Sequence, residues 1–591
     1  MSVIYAPKSS NVDGRSLVFP VLIGVGLMAI FVRLWYIQVV RSAELVEKAS
    51  HIFAATVPHP APRGLIYDRN GKLLAGVQSQ FVVMCVPMIA AKNPWVIDKV
   101  AQLLKVDPSK LKSKLEEGRW RPYLPTPIFI GAPVEAASLI SESAEDLPGV
   151  TIDSLPTRYY PDPTSFSHVL GYVWVPSKDD VDRLDKLNLK AAPMVGKNGI
   201  EYVYEGDLMG EAGYDRMEMD KKMRPLRLAE RENPEPGHKL TLTLDADLQK
   251  TALKQLAGRR GAAVAIDPNT GEVLCLVSAP EYDSSLFKNG ISSADWERLS
   301  EDPDKPLLNR AVYAAYPPGS TFKIITSLAA LRAGTFDPNR YVECRGYYEV
   351  GKRRSKCLSV HGAISFHHAF EKSCNTYFSD LAVRTGPDAV RQAALDCGLY
   401  ARTNVDLRSE SRGVIPTEAW LEKYRNPPKW YTGDTVNLGI GQGDVQATPI
   451  QMANLVALVA TRGTNYVPHL VKAVTDSGGV HPKDAVVAHH VDAPDSFWNM
   501  LQDAMASVVD TGTGQKAKIP GLKWAAKTGS AEHKLDEKTH SWFIGYAPYD
   551  HPKIAIAVLV EGAGHGGDIA APIAAEIVKK YLKPVAPASA H

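Results

Sequence analysis

The longest apolar run in the chain lies near its N-terminus. Leu17 to Val32 contains no charged residue, and after Arg33 the apolar character continues to Val40. As a helix this segment would measure roughly 36 Å, which is enough to cross a bilayer. We predict one transmembrane anchor at residues 17–40, with Arg33 extending its head group to the membrane interface. A cleaved signal peptide would have a shorter apolar core followed by a small-residue cleavage site, and that pattern does not fit here.

Between residues 41 and 240 the chain alternates short apolar runs with turn-rich stretches. Residues 61–75 predict two strands joined by an Asn-Gly turn. No convincing catalytic cluster occurs in this region, so we interpret 41–240 as an elongated pedestal domain. Charged residues such as Arg63 and Asp68 are expected either to contact a partner or to form an internal ion pair.

The pattern changes near residue 240. A short alternating strand is followed by a helix capped near Asp245, and residues 261–280 predict a hairpin around the sequence DPNTG. Three more strand candidates (KWAAKTGSAE, SWFIGYAP and KIAIAVLVE) precede a final helix that Asp568 can cap. Five strands with helices at both ends predict an α+β domain at 241–583, in which helices flank one mainly antiparallel sheet.

Two further segments complete the predicted organisation. Residues 1–16 would be a cytoplasmic tail, because a slight excess of basic residues precedes the anchor. Residues 584–591 would be a flexible tail. The rest of the chain would then lie outside the cytoplasmic membrane.

Composition and charge narrow the possible functions. The chain has 591 residues, which favours more than one domain. Lys and Arg total 67 against 65 Asp and Glu, and no basic stripe is evident, so there is no electrostatic case for nucleic-acid binding. Six cysteines are too few for a disulfide scaffold.

The sequence YPPGSTFKI, residues 316–324, places helix-breaking residues just before a helical pattern. Ser320 is therefore expected near a helix N-terminus, with Lys323 on the same face and able to reach its hydroxyl. A lysine buried beside a pocket has a lowered pKa, so its neutral amine can take the serine proton. The pair predicts a serine nucleophile, although the same spacing occurs twice more in the chain.

Two other motifs strengthen this hypothesis. In SCNTYF, Ser373 could relay a proton and Asn375 could hold a substrate amide; a helix-capping pair is the alternative. In KTGS, Lys527 would supply positive potential and Thr528 a hydroxyl for a substrate carboxylate. Gly529 would let another backbone approach closely. For this motif alone, a solvent-facing strand lysine is the alternative.

These three motifs, in this order, are typical of class A β-lactamases and penicillin-binding proteins. The chain resembles the class B penicillin-binding proteins, and within that class it is most similar to the branch that serves cell elongation. The resemblance covers nearly the whole chain from the anchor onward. It extends to PRGLIYDRNGKLLA, HVLGYV, GIEYVYEGDLMG, AAVAIDPNTGEVLCLVS and WFIGYAP. GIGQGDVQATPIQ and Gly512–Gly514 resemble family segments near the cleft.

The resemblance implies a peptidoglycan D,D-transpeptidase. Ser320 would attack the penultimate D-Ala carbonyl of a donor stem peptide, and an amine of a neighbouring stem peptide would resolve the acyl-enzyme. The backbone N–H groups of Ser320 and Ser530 would form the oxyanion hole. β-Lactams would acylate the same serine, and catalysis would require no cofactor.

The same resemblance implies a location and partners. The chain would pass once through the bacterial inner membrane, with its catalytic domain in the periplasm. The pedestal would contact a membrane-embedded glycosyltransferase of the SEDS family and other proteins of the elongation complex.

Cys344, Cys357, His361 and Cys374 form a second candidate cluster. Three thiols and an imidazole fit a structural zinc ion. In the family resembled, some members carry zinc in this region, and His361 and Cys374 look like the matching positions, although the other ligands there are not cysteines. A Cys344–Cys357 disulfide and unpaired buried thiols are the alternatives.

Three other functions compete with this interpretation. A β-lactamase would need a base for hydrolysis, such as a positioned glutamate, and none is recognisable. A non-enzymatic β-lactam sensor or a scaffold in the wall-building complex is another class; a sensor should carry a cytoplasmic signalling segment, whereas only about 16 residues precede the anchor. The division-specific transpeptidase paralogue shares all three motifs and is a further alternative.

Overall fold

The structure is a computed structural model that describes residues 14–42, 54–117, 122–186, 189, 194–219, 225–288, 290–351, 353–532 and 538–583. The predicted tail at 584–591, and all but the last three residues of the predicted tail at 1–16, lie outside these residues.

The strands of the described chain are β1 Ala54–His59, β2 Ile66–Tyr67, β3 Leu73–Cys85, β4 Thr126–Ala132, β5 Val150–Tyr159, β6 Val173–Trp174, β7 Val195–Gly196, β8 Gly213–Met219, β9 Pro225–Glu232, β10 Lys239–Leu242, β11 Gly261–Ile266, β12 Val273–Ala279, β13 Val342–Cys344, β14 Tyr347–Val350, β15 Arg353–Lys356, β16 Gly362–Ile364, β17 Thr464–Tyr466, β18 Val471–Asp476, β19 Gly479–Pro482, β20 Val487–His490, β21 Ala525–Ala531, β22 His540–Ala547 and β23 Ile554–Val560.

The α-helices are α1 Gly14–Trp35, α2 Pro87–Lys92, α3 Trp95–Leu104, α4 Pro108–Glu117, α5 Val134–Glu142, α6 Ser167–Leu170, α7 Lys178–Lys186, α8 Gly199–Val203, α9 Glu205–Leu208, α10 Ala246–Leu256, α11 Ser293–Glu301, α12 Lys323–Arg332, α13 Phe366–Glu371, α14 Asn375–Thr385, α15 Pro387–Asp396, α16 Glu418–Tyr424, α17 Thr432–Gly439, α18 Pro449–Ala460, α19 Asp495–Asp510 and α20 Ala570–Leu582.

The predicted apolar helix is confirmed at the N-terminus. α1 continues into a π-helical turn at Tyr36–Val40. Val18–Val40 is long and apolar enough to cross a membrane, and its side chains are not buried against the rest of the described chain. The head group of Arg33 lies 5.8 Å from the centre of the Tyr36 ring. The length, composition and exposure of this helix within the described chain suggest a membrane anchor.

The first of two compact units comprises Met1–His59, Gln80–Ser154 and Ala212–Pro234. Within it, β1, β8 and β9 form an antiparallel sheet in that order. The second half of β3 pairs with β4. Apolar side chains of α3 and α5, among them Val96 and Ile140, pack with that strand pair in one hydrophobic core.

The second unit comprises Pro60–Ser79, Leu155–Glu211 and Glu235–His591. The hairpin predicted at residues 61–75 is confirmed, because β2 pairs antiparallel with the start of β3. Its turn contains Gly71, which has a φ of +84°. Only glycine adopts this left-handed backbone conformation without strain, which explains the Asn-Gly sequence there.

The suggested ion pair between Arg63 and Asp68 is wrong, because each of these residues contacts other groups. Arg63 donates to Glu201 over 2.6 Å and to Glu205 over 2.9 Å, and both carboxylates are buried. Asp68 instead accepts backbone N–H groups, including that of Ala246 at the start of α10. The local sequence could not predict these contacts, because the partners of Arg63 lie about 140 residues further along the chain.

A five-stranded sheet organises the second unit. Its order is β12-β11-β23-β22-β21, and all four pairings are antiparallel. The predicted α+β fold, with one antiparallel sheet flanked by helices, is confirmed. β21, which carries the KTG motif, is an edge strand of this sheet.

The two faces of the sheet are buried by different helices. Ala262 and Val264 of β11 belong to the hydrophobic core that contains α12 and α18. Ala263 and Ala265 belong to the core that contains α10 and α20. Successive strand residues point to opposite faces, so burial of both faces explains why these strands are apolar throughout.

Of the two predicted helix caps in this unit, one is confirmed and one is wrong. The carboxylate of Asp245 accepts the N–H groups of Asp247 and Leu248 at the start of α10. α20 begins at Ala570 without a side-chain cap. Asp568 instead forms an ion pair with Lys516 over 2.7 Å, a partner that local sequence cannot reveal.

Candidate active site

Ser320 lies where the sequence predicted, at the entrance to a helix. Gly319–Phe322 forms a 3₁₀ turn that leads directly into α12 at Lys323. Ser320 is half-buried, whereas Lys323 is fully buried. The turn therefore holds the hydroxyl near solvent and the ammonium group inside the protein.

The amine of Lys323 joins the first motif to the second. Its Nζ donates to the Ser373 carbonyl oxygen over 2.8 Å, to Ser373 Oγ over 3.2 Å and to Asn375 Oδ1 over 2.9 Å. The Ser320 hydroxyl is not among these partners, so direct contact between Ser320 and Lys323 stays a prediction. Catalytic hydrogen bonds often form only when substrate binds.

Ser373 brings the third motif into the same cluster. Lys527 Nζ donates to Ser373 Oγ over 2.9 Å, so one hydroxyl lies between two lysines. The backbone of Ser373 has a φ of +55°, which is unusual for a residue other than glycine. Because its hydroxyl contacts both lysines and α14 has no side-chain cap, the capping alternative for Ser373 is not supported.

Burial controls the charge of both lysines. It lowers the pKa of Lys323 to about 7. Burial and the neighbouring charge of Lys323 lower the pKa of Lys527 well below its usual value. Neither lysine is exposed, which rules out the solvent-facing alternative for Lys527. The lowered pKa of Lys323 allows its amine to be neutral, and so to accept a proton, near neutral pH.

Two glycines allow the Ser320 turn to approach β21. A Cβ atom at Gly319 would lie 3.0 Å from the Ser530 carbonyl oxygen, and one at Gly529 would lie 2.9 Å from the Pro318 carbonyl oxygen. The Ser530 carbonyl points away from β22, because it accepts from a side chain outside the sheet. In an antiparallel strand the N–H of the same residue points the same way. The N–H of Ser530 therefore faces the region beside Ser320.

Three site residues were not assigned from the sequence. Thr513 Oγ1 lies 2.6 Å from Thr528 Oγ1, and Gln442 Nε2 donates to the Ser530 carbonyl over 3.0 Å. His565 Nδ1 lies 3.3 Å from Ser530 Oγ. The segments containing Thr513 and Gln442 resemble cleft segments of the family, and this resemblance could have indicated that both residues belong to the site. Nothing in the sequence marked His565.

The predicted cysteine–histidine cluster is brought together. The donor atoms of Cys344, Cys357, His361 and Cys374 all lie within 4.8 Å of one another. His361 Nδ1 is 3.4 Å from Cys344 Sγ and 3.6 Å from Cys357 Sγ, and the Cys357 and Cys374 sulfurs are 3.8 Å apart. All six cysteines are unpaired, so the alternative disulfide is not formed in this structure.

His367, His368 and Glu371 form another group of potential metal ligands. Here the carboxylate already has partners, because Glu371 Oε1 accepts from Thr511 over 2.9 Å and pairs with Lys372 over 3.1 Å. These contacts describe a satisfied carboxylate, so we assign no metal to this group.

The fold and the site together define an active-serine acyl-transfer enzyme, in which a serine at a helix entrance lies beside two buried lysines and an edge strand. Family models match the chain as "Penicillin binding protein transpeptidase domain" at residues 261–579 and "Penicillin-binding Protein dimerisation domain" at residues 58–242. The chain belongs to the penicillin-binding proteins. The class predicted from the sequence motifs is thereby confirmed.

Individual relatives indicate which penicillin-binding proteins the chain is similar to. It is 35% identical to the peptidoglycan D,D-transpeptidase MrdA of Acinetobacter baumannii, over 93% of this chain and 84% of that protein. Penicillin-binding protein 2 of Helicobacter pylori, solved in complex with MreC, gives a TM-score of 0.79 at 28% identity, covering 90% of this chain and 99% of that one.

A third comparison involves a larger assembly. A chain from a structure described as a peptidoglycan synthase complex that coordinates polymerisation and crosslinking gives a TM-score of 0.73 at 28% identity. The alignment covers 98% of this chain and 100% of that chain. Together these comparisons confirm the resemblance to penicillin-binding protein 2, the elongation-type branch.

Proposed function

We propose that this protein is a peptidoglycan D,D-transpeptidase that cross-links stem peptides during cell elongation and is acylated by β-lactams at Ser320. The observation that carries the proposal is the convergence of Lys323, Ser373, Asn375 and Lys527 on one hydrogen-bonded cluster beside the Ser320 turn. These residues come from three separate segments of the chain, and a purely structural role would not require two buried lysines around one hydroxyl.

In the acylation step, the neutral amine of Lys323 accepts the proton of Ser320 as the serine oxygen attacks the penultimate D-Ala carbonyl. The bond to the terminal D-Ala then breaks, and its nitrogen leaves as an amine after taking a proton. The N–H groups of Ser320 and Ser530 stabilise the oxyanion. Removing one such donor typically costs about 3 kcal/mol of barrier.

The remaining residues orient the donor and move protons. Ser373 lies between Lys323 and Lys527, so its hydroxyl can pass a proton toward the leaving amine. Asn375 Oδ1 accepts from Lys323, and its Nδ2, which donates to the Lys356 carbonyl over 3.1 Å, has a second N–H for a carbonyl of the donor peptide. Thr528 presents a hydroxyl to the donor carboxylate, and Gly529 lets the Ser320 turn pack against this part of the strand. An amine of a second stem peptide attacks the acyl-enzyme and restores Ser320.

Mass spectrometry after penicillin treatment tests the proposal. We expect one penicillin adduct per chain, located on the peptide that contains Ser320 and stable for long enough to be isolated. The variant Ser320→Ala should carry no adduct. Rapid release of hydrolysed penicillin would instead indicate a β-lactamase, and an adduct on another residue would contradict the assignment.

We also propose a single-pass topology, in which α1 crosses the bacterial inner membrane and the catalytic domain lies in the periplasm. The apolar exposed surface of α1 supports membrane insertion. The domain boundaries that we assign are an anchor at 17–40, a pedestal at 41–240 and a transpeptidase domain at 241–583. Labelling of introduced surface cysteines by a membrane-impermeant reagent in spheroplasts would test the orientation.

For the pedestal we propose contact with a membrane-embedded SEDS-family glycosyltransferase. The likeness to a chain of a synthase complex that couples polymerisation to crosslinking supports this partner. Photo-crosslinkers placed on exposed residues within 41–240 should yield adducts with that polymerase. Adducts formed only from positions in 241–583 would contradict the assignment of the interface.

A structural zinc ion at Cys344, Cys357, His361 and Cys374 is the cofactor that we propose. In a tetrahedral site with bonds of about 2.3 Å, neighbouring donor atoms lie roughly 3.8 Å apart. Three of the donor separations, 3.4, 3.6 and 3.8 Å, are close to this value, and all of them are within 4.8 Å. Bound zinc would cross-link the segment around β13–β16 to the start of α14, and no catalytic step needs it.

Metal analysis of protein purified without added zinc tests this site. We expect about one zinc per chain, lost in Cys344→Ser and retained in Cys397→Ser, which alters a buried cysteine outside the cluster. Absence of stoichiometric zinc from the wild-type protein would reject the site, and thiol titration would then separate a disulfide from free thiols.

A further inference from the structure

The outer edge of β21 is a surface on which an extended peptide can bind. β21 is the last strand in the order of its sheet, so one side of its backbone has no strand neighbour among the described residues. Such an edge presents N–H and C=O groups that pair with an extended ligand. Ser530 belongs to this side, because its carbonyl oxygen accepts a hydrogen bond from Gln442.

The side-chain amide of Gln442 already forms hydrogen bonds with backbone groups of this edge. Its Nε2 donates to the Ser530 carbonyl over 3.0 Å, and its Oε1 accepts from the Glu532 N–H over 3.3 Å. One residue of a parallel strand makes the same two bonds, to a C=O and to an N–H two residues further along. The amide of Gln442 therefore stands where the amide of an extended ligand would bind.

The backbone of this segment is held independently of that side chain. The Gly441 carbonyl accepts from the N–H of Gly319, the residue before Ser320, over 2.8 Å. Gln442 N–H donates to the Asn437 carbonyl over 2.9 Å. A side-chain rotation can therefore release Ser530 and Glu532 without moving the backbone beside the nucleophile.

We propose that Gln442 occupies the ligand-binding edge of β21 in the free enzyme, and that the amide N–H of a bound donor displaces its side chain from the Ser530 carbonyl. This inference rests on the proposed function, since the ligand is the donor stem peptide or a β-lactam that imitates it. A ligand with an amide N–H must compete with Gln442, whereas a ligand without one leaves the Gln442 contact in place. Gln442 is thus a specificity-determining residue.

Two β-lactams, one with an amide N–H and one without, can test whether a ligand competes with Gln442. Benzylpenicillin carries an amide N–H on its ring, whereas a carbapenem carries a hydroxyethyl group at that position. We would measure the second-order rate constant for acylation of Ser320 by each compound, using intact-protein mass spectrometry. The informative quantity is the ratio of the penicillin rate constant to the carbapenem rate constant, because it cancels general changes in the nucleophile.

In Gln442→Ala and Gln442→Met, this ratio should rise about threefold to tenfold, as expected for loss of one competing hydrogen bond. The methionine variant keeps the length of the side chain and so controls for lost packing. In Gln392→Ala the ratio should stay at the wild-type value, because this exposed glutamine bonds, among the residues that the structure describes, only to Asp396 on its own helix.

An unchanged or lower ratio in both Gln442 variants would overturn the proposal. An equal decrease in the acylation rate constants of both compounds would also overturn it, because it would show that Gln442 only stabilises the contact between β21 and the Ser320 turn. Failure of the proposed function can be distinguished from failure of this inference. In that case neither compound would acylate Ser320 of the wild-type protein.

Discussion

At the scale of single residues, the centre of the site is one hydroxyl shared by two buried lysines. Ser373 Oγ lies 2.9 Å from Lys527 Nζ and 3.2 Å from Lys323 Nζ. Two positive charges this close in a buried site oppose each other, and burial favours the neutral form of each. We propose that this arrangement keeps the amine of Lys323 available as a base near neutral pH.

The first prediction concerns pH. Lys323 can accept the Ser320 proton only when its amine is neutral, and its pKa is lowered to about 7. The acylation rate should therefore rise with pH up to about 7 and level off above it, falling about tenfold per pH unit well below that value. Stopped-flow measurement of acylation by a fluorescent penicillin would give this profile.

A matched variant tests the assignment of that profile. In Lys323→Arg the side chain stays protonated across the whole range, so acylation should be almost absent at every pH. A wild-type rate that does not change between about pH 5 and about pH 9 would contradict the role of Lys323 as the base.

The second prediction concerns the strained backbone of Ser373. Both Ser373→Ala and Ser373→Gly remove the hydroxyl and should slow acylation by about 100-fold or more, as for loss of a positioned proton donor. Glycine adopts a φ of +55° without strain, so Ser373→Gly should be more stable than Ser373→Ala by about 1 kcal/mol. Urea unfolding of the two variants measures this difference, and equal stability would show that the backbone is not strained.

Sequence reasoning reached part of this residue-level picture. The breaker residues before Ser320 and the pattern after it fix the helix entrance, because both signals are local. The partners of Lys323 Nζ lie 50 and 52 residues away, so the direction of its side chain depends on tertiary packing. The left-handed conformation of Ser373 has no sequence signal, since serine rarely adopts it.

At the scale of elements, the site depends on how closely the Ser320 turn approaches β21. Gly319 packs against Ser530 and Gly529 packs against Pro318, and a Cβ atom on either glycine would meet backbone oxygen within 3.0 Å. Backbone atoms cannot move aside as a flexible side chain can. The close approach holds the N–H groups of Ser320 and Ser530 in the same region.

The third prediction follows from this contact. Gly319→Ala should separate the turn from β21 and slow acylation by about 100-fold, as for loss of an oxyanion donor. Gly334→Ala is the matched control, because Gly334 also has a positive φ but nothing lies within 4 Å of its Cβ position. The control should lose about 1 kcal/mol of stability and retain its acylation rate. Similar acylation rates in the two variants would contradict the prediction.

Elements were predictable where their signals were local. The hairpin around DPNTG and the cap at Asp245 follow from turn and cap chemistry within a few residues. Asp568 satisfied the same rule for a cap, yet Lys516 pairs with it from a distant segment. The bond from Gln442 to Ser530 spans 88 residues and could not be inferred from either segment alone.

At the scale of the whole molecule, the second unit contains a buried ion network in addition to its hydrophobic cores. Glu201 is fully buried and accepts from Arg63 over 2.6 Å and from Arg158 over 2.5 Å. Although burial opposes it, the two arginines keep the pKa of Glu201 below its usual value. The network joins three segments that are far apart in sequence.

The fourth prediction tests this network. Arg63→Ala removes the closest cation of the buried Glu205 and leaves Glu201 with Arg158 as its one arginine partner, so it should destabilise the protein by about 3–5 kcal/mol. Arg227→Ala breaks an exposed pair with Glu218 and should change stability by less than about 1 kcal/mol. Urea unfolding followed by one spectroscopic probe compares the two variants. Equal effects would show that the buried network contributes no more than a surface pair.

The last prediction concerns α1 and the attachment of the whole molecule. Val18–Val40 is exposed and apolar, and every residue to which we assign catalysis lies far beyond it in the chain. Removal of residues 1–40 should therefore release the protein from membranes into the soluble fraction, while the penicillin acylation rate stays within about twofold of the full-length value. Sedimentation after alkaline carbonate extraction measures the first effect. A truncated protein that still sediments with membranes would show that the pedestal binds lipid or a membrane partner tightly enough without the anchor.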